Sequence, residues 1–132
     1  MRLGIVADIH ANASALDAVL ADGRAAEVDR WVCLGDVIGY GPDPGPCLRR
    51  LRGSDVPCLQ GNHEARLLGL PTSPFNPMAE AAIEYCRHSL DDQDLEQIRH
   101  FPTRIRWGDE VLFCHGSPDD RDEYLLLETR VR

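Results

Sequence analysis

The chain has 132 residues, of which 43% are hydrophobic, and a formal net charge of −8. That length fits one domain, and the apolar content excludes a disordered chain. The negative charge argues against general nucleic-acid binding, which needs a cationic surface, but not against a small phosphorylated substrate held through divalent ions.

In chain order, Arg2 to Ala7 reads as a first strand, nearly continuous in apolar residues as a strand covered on both faces requires. Helical spacing from Asn12 through Leu16, Val19 and Leu20 predicts a helix, with Asn12 or Ser14 as its cap and Gly23 as its stop. Arg30 to Leu34 is a second strand that ends at Gly35-Asp36. The glycines and prolines of residues 39–46 predict a loop. A short helix over 47–52 leads to a third strand, 56–60, ending in a Gly61-Asn62-His63 turn. Residues 71–77 form a second irregular connector, followed by helices over 78–88 and 90–100, the latter capped by Ser89. Residues 104–107 and 111–114 are expected to form a hairpin around Gly108-Asp109.

Leu125-Leu126-Leu127 lies in an acidic tail with no cap or closing strand, so the chain reads as one domain, 1–132, cut short at its carboxy end. Alternating strands and helices predict an α/β fold with right-handed crossovers and a mostly parallel sheet flanked by helices. All basic residues are Arg, which excludes a lysine-dependent phosphate loop or a Schiff-base lysine. Five cysteines without C-x-x-C spacing, and no signal-like segment behind Met1-Arg2, suggest a reduced cytoplasmic protein with no membrane span. Cys33 and Cys114 are expected in the core, and His88 and His100 at helix C-terminal ends.

Four polar clusters each follow an apolar, strand-like run: Asp8-Ile9-His10, Gly35-Asp36, Gly61-Asn62-His63-Glu64 and Cys114-His115-Gly116-Ser117. In an open parallel sheet such strand ends share one rim, where ligands bind. Asp8 and His10, two apart, would project the same way from extended backbone. Asp36 can bridge two cations through its two oxygens, Asn62 offers an amide oxygen, and His115 adds an imidazole. Mixed oxygen and nitrogen donors without thiolate suit manganese, iron, zinc, cobalt or nickel. Two such ions about 4 Å apart would acidify a bridging water, hold phosphate oxygens and neutralise a departing oxygen. His63 would then donate a proton or hydrogen bond to the leaving group. Singly, each cluster is also a cap or a turn; four in succession at strand ends are not explained by turn chemistry.

These motifs, together with residues 35–44 (GDVIGYGPDP), resemble the calcineurin-like metallophosphoesterase superfamily, in particular its small bacterial phosphodiesterase-like branch. The resemblance covers the whole chain as the amino-terminal part of a layered sandwich, the carboxy-terminal part being missing. It implies a dinuclear-metal-dependent phosphohydrolase acting on phosphodiesters or phosphomonoesters through a metal-bridging hydroxide. Asp8 and His10 would serve the first ion, Asp36 would bridge, Asn62 and His115 would serve the second, and His63 would be the catalytic histidine.

Three departures stand out. A Gly-His-x-His motif that gives one further histidine to each ion is absent after His115. Gly39-Tyr40-Gly41 replaces the Asp-Arg-Gly of the protein phosphatases, so their phosphate-gripping Arg is missing. Ala11 stands where Gly is usual, which a strained backbone would disfavour. Asn12 and Tyr40 are candidate substrate contacts. The alternatives are a weakly active or inactive fragment, whose unfinished sheet would favour homo-oligomers, or a phosphate- or nucleotide-binding module without turnover.

Overall fold

The structure is a computed structural model that describes residues 1–126; Leu127, in the expected acidic tail, lies outside them. β1 (Leu3–Val6) pairs in parallel with β2 (Arg30–Cys33), Leu3 opposite Arg30 and Val6 opposite Cys33. Between them in sequence lies α1 (Ala13–Ala25). There follow α2 (Pro44–Gly53), α3 (Asn62–Leu67), α4 (Pro77–Ser89) and α5 (Asp92–Arg99). An antiparallel hairpin of β3 (Arg104–Trp107) and β4 (Val111–Cys114) completes the described elements, as the Gly108-Asp109 turn signal predicts.

Alternation along β2 divides the core in two. Cys33 joins Leu16, Leu20, Leu48, Leu51, Ile83 and Ile98 on the helical side. Val32 joins Leu59 and Phe113, with Leu3 and Trp107 against them, on the hairpin side. This is the α/β layering expected from the sequence. β1 is covered only in part, however: Val6 packs on the helical-side cluster and Leu3 on the hairpin-side one, but Ile5, on the same face as Leu3, is 53% exposed.

The expected third strand is only a bridge between Cys33 and Cys58. Cys33 N–H donates to Pro57 O at 2.9 Å and Leu59 N–H to Cys33 O at 2.8 Å. The ladder goes no further back because Pro57 has no N–H and Val56 N–H is spent on Leu51 O at the end of α2. The loop expected over 39–46 is shorter too. Pro44 and Pro46 lie in the first turn of α2, where a missing N–H costs nothing because those groups have no helical partner.

Asn12 caps α1, its side-chain oxygen accepting Ala15 N–H at 3.0 Å. Gly23 does not stop that helix, which runs on to Ala25; the residue is buried beneath Trp31, where a Cβ would lie 2.1 Å from the indole. The cap of α5 is Asp91, not Ser89, because Asp91 Oδ1 accepts Asp94 N–H at 2.8 Å. The Gly61-Asn62-His63 turn continues into α3, a helix too short to show a period. His88 and His100 sit exposed at the ends of α4 and α5, as expected. Cys33, Cys47, Cys58 and Cys86 are buried free thiols, while Cys114 is only half-buried. Among the described residues no helix is long and apolar enough to cross a membrane.

Candidate metal centre

The loops that leave β1 and β2 continue side by side beyond the strands. Asp8 N–H donates to Gly35 O (3.1 Å), His10 N–H to Asp36 O (2.9 Å) and Ala11 N–H to Val37 O (2.8 Å). This pairing brings Asp8, His10 and Asp36 together. Their backbone is left-handed rather than extended, with φ of +52° at Asp8, +46° at His10 and +53° at Asp36. The strand alternation expected to align Asp8 and His10 is therefore not what aligns them. Ala11 also adopts a left-handed φ, +54°, the strained conformation anticipated at that position.

Asp36 is 3% exposed and central. Its Oδ1 accepts the N–H of His63 at 3.0 Å. Its Oδ2 faces His115 Nε2 at 3.5 Å and His10 Nε2 at 3.9 Å, and Asp8 Oδ1 lies 3.8 Å from His10 Nε2. Both imidazoles are oriented from behind: His10 Nδ1 contacts Ile38 O at 3.1 Å and His115 Nδ1 contacts Leu34 O at 2.8 Å. A carbonyl only accepts, so each Nδ1 carries a proton, which leaves Nε2, the nitrogen turned toward Asp36, as the one that can bind a cation. Asn62 Oδ1 lies 3.2 Å from His115 Nε2. Acceptor atoms thus converge on one carboxylate, an arrangement that a cation satisfies. The alternative is an amide turned the other way, with Asn62 nitrogen donating to Asp36 Oδ2 at 2.9 Å.

Among the acids, imidazoles and thiols of the described residues, two triplets have donor atoms within 4.8 Å of one another: His10, Asp36, His63 and Asp8, Asp36, His115. Asp36 is common to both, as a bridging carboxylate would be. The triplets put Asp8 near His115, while Asp8 also lies 3.8 Å from His10, and they bring His63 within 4.8 Å of Asp36.

His63 is held among tilted rings, its centroid 4.7 Å from His10, 5.0 Å from Tyr40 and 4.8 Å from Phe75. Burial, then the neighbouring His10 and His115, pushes its pKa down to about 4, so the ring is neutral. Its Nδ1 is buried with no hydrogen-bond partner. Gly39 makes room for it: φ there is +89°, and a Cβ would sit 2.1 Å from His63 Nδ1.

Glu64, within the quoted motif but given no role from sequence, braces the whole site. It is fully buried. Oε1 accepts Val37 N–H (2.8 Å) and Ile38 N–H (3.3 Å), and Oε2 accepts Asp36 N–H (2.9 Å) and Gly61 N–H (2.8 Å). Burial pushes its pKa up and these bonds pull it down. Burial outweighs the bonds, although a proton would have to displace one of these backbone donors. The available signal was a capping pattern, an acid three residues after Gly61 at a helix start. Gly61 itself admits no side chain, since a Cβ would lie 2.1 Å from Asp36 Oδ1.

A cleft of about 350 Å³ is lined by Asp8, His10, Asp36, Tyr40, Asn62, His63 and His115, with Cys114 and Arg121 beside them. Tyr40 therefore stands in the cleft; Asn12 does not line it, and its side chain is occupied as the α1 cap. A larger groove of about 610 Å³, lined by residues of α5 and the 100–105 segment, shares no residue with it.

An α/β sheet rim that gathers carboxylates, an amide and imidazoles around one shared aspartate is the framework of a metallophosphoesterase. The family model for calcineurin-like phosphoesterases matches residues 1–130, and the chain belongs to that family. It is 33% identical over 132 residues to an uncharacterised protein of Methanocaldococcus jannaschii, covering 94% of this chain and 54% of that protein. It is 32% identical over 124 residues to a symmetrical bis(5'-nucleosyl)-tetraphosphatase of an Acidovorax species, covering 89% of this chain and 44% of that protein. Among solved structures, a metallophosphoesterase from Sphaerobacter thermophilus superposes with a TM-score of 0.77 at 37% identity, over 95% of this chain and 51% of that one. A hypothetical protein from Pyrococcus horikoshii OT3 shares the fold with a TM-score of 0.83 at 18% identity, over 96% and 59%. The chain thus spans about half the length of the relatives it matches.

Proposed function

We propose that the chain carries most of the ligand set of a dinuclear-metal-dependent phosphohydrolase for phosphodiesters or phosphomonoesters. The carrying observation is Asp36, buried and shared by both donor triplets, with the Nε2 atoms of His10 and His115 turned toward one of its oxygens. Asp8, His10, Asp36, Asn62 and His115 are the residues we assign to a pair of divalent ions. When bound, such ions supply Lewis acidity toward phosphoryl oxygens and lower the pKa of a coordinated water.

The chain's own part is positioning. Glu64 fixes the backbone that carries Asp36, and the carbonyls of Leu34 and Ile38 fix two imidazole tautomers. A neutral His63 keeps one N–H, which we assign as a hydrogen-bond donor to the leaving oxygen or an equatorial oxygen. Tyr40 in the cleft wall contacts the substrate. The tetraphosphatase name of one relative supports a small phosphorylated nucleotide as substrate, manganese is a suitable ion, and free thiols suit a reduced cytoplasm.

A second reading, weak turnover, is favoured by Asp8, whose side chain is 60% exposed, so that the described residues leave that side of the centre largely uncovered. The test is metal stoichiometry measured beside manganese-supplemented turnover of a chromogenic phosphodiester and a phosphomonoester. Asp36→Asn is expected to abolish hydrolysis and His63→Ala to cut it by roughly 10² to 10⁴. Absence of hydrolysis above background on both esters would overturn the catalytic reading.

A further inference from the structure

We infer that Arg121 is a substrate-binding residue, its guanidinium taking a phosphoryl oxygen of the bound ester from the wall of the metal cleft. The inference rests on the phosphohydrolase reading for the identity of its ligand. No Arg follows Asp36, where Val37 to Gly41 carry no cation, so any guanidinium in the cleft comes from another segment. Arg121 is the one Arg among the residues that line the cleft.

Local structure holds it there. Ser117 N–H donates to Asp120 O at 2.8 Å and Asp120 N–H to Ser117 Oγ at 3.1 Å, which folds the chain back just after His115. The carbonyl of Arg121 then lies against Gly116, where a Cβ would come within 2.6 Å of it. Arg121 Nη1 donates to Oε1 of Gln60, a 6% exposed residue two before Asn62, and Gln60 N–H is itself tied to Pro102 O at 2.9 Å. The guanidinium is therefore anchored to the segment that carries a metal-ligand candidate.

Asp120 Oδ1 accepts Asp122 N–H at 2.9 Å, and Asp122 Oδ2 accepts Ser73 N–H at 3.0 Å. Among the described residues no carboxylate forms an ion pair with Arg121. One of its five N–H donors is used by Gln60, and the rest form a planar fork suited to a phosphate edge.

The experiment is calorimetric binding of inorganic phosphate to the manganese-loaded full chain, for wild type, Arg121→Gln and Arg121→Lys. It is accompanied by kcat and KM on a chromogenic phosphodiester, metal stoichiometry and thermal melting. Arg121→Gln is expected to weaken phosphate binding and raise KM roughly 10-fold or more, with a smaller change in kcat, unchanged metal content and similar melting. Arg121→Lys should recover part of the affinity, as charge without the fork would. Phosphate affinity that is unchanged in Arg121→Gln, that is undetectable in wild type, or that falls only together with metal content or melting temperature overturns the inference. Phosphate binding that depends on Arg121 without any hydrolysis would support it while removing the catalytic reading. Hydrolysis with phosphate affinity indifferent to Arg121 would do the reverse.

Discussion

Asp36 meets its surroundings at an electrostatic cost: burial first, then the Glu64 charge, pushes its pKa from 3.8 up to about 9, although the His63 N–H pulls the other way. Its raised folded value gives stability that is complete below the unfolded pKa and lost as pH rises toward 9. His63 has the opposite sign. Its pKa drops from 6.5 to about 4, so stability is lost as pH falls through that window. The two effects oppose one another between about 4 and 6.5, and of the two only Asp36 acts from there to about 9. In chelator, melting temperature is expected to fall as pH rises from 6.5 to 9, with a limiting slope of about 1.4 kcal/mol per pH unit. Asp36→Asn should flatten this profile, and added divalent cation should reverse it by binding the ionised carboxylate. Calorimetry across that range decides the matter; a flat profile for the wild-type chain in chelator would contradict the argument.

At the scale of elements, the legible features were those encoded by neighbouring residues. The α1 cap at Asn12, the β3–β4 hairpin and the paired strands β1 and β2 all follow from local pattern. Errors arose where a competing local preference had an equally good use. Pro44 and Pro46 serve a first helical turn as well as a loop, and Gly23 serves close packing on Trp31 as well as a helix stop. Asn12 can be tested directly. Asn12→Ala is expected to cost about 1 kcal/mol of stability through the lost cap and to leave KM unchanged. A raised KM with unaltered melting would instead make Asn12 a substrate contact.

On the scale of the whole molecule, β1 is an edge among the described residues. Among the described residues its ladder partner is β2, and Ile5 on it is 53% exposed. An open edge with an apolar residue is a template for pairing with another chain. The polypeptide is therefore expected to self-associate as concentration rises, and Ile5→Arg to shift it toward monomer in sedimentation or light scattering. Concentration-independent monomer for the wild type would remove this expectation.

Residue order alone determined which donors follow strand-like runs, and hence that Asp8, His10, Asp36, Asn62, His63 and His115 could share a sheet rim, because a strand's end is a local property. Only the tertiary structure decided how those donors group around Asp36, that left-handed loops rather than strand alternation align them, and that Glu64 braces them through four backbone N–H groups. It likewise brought Arg121 beside Gln60, 61 positions away. These outcomes depend on distances between segments remote in the chain and on burial, neither of which a local pattern carries.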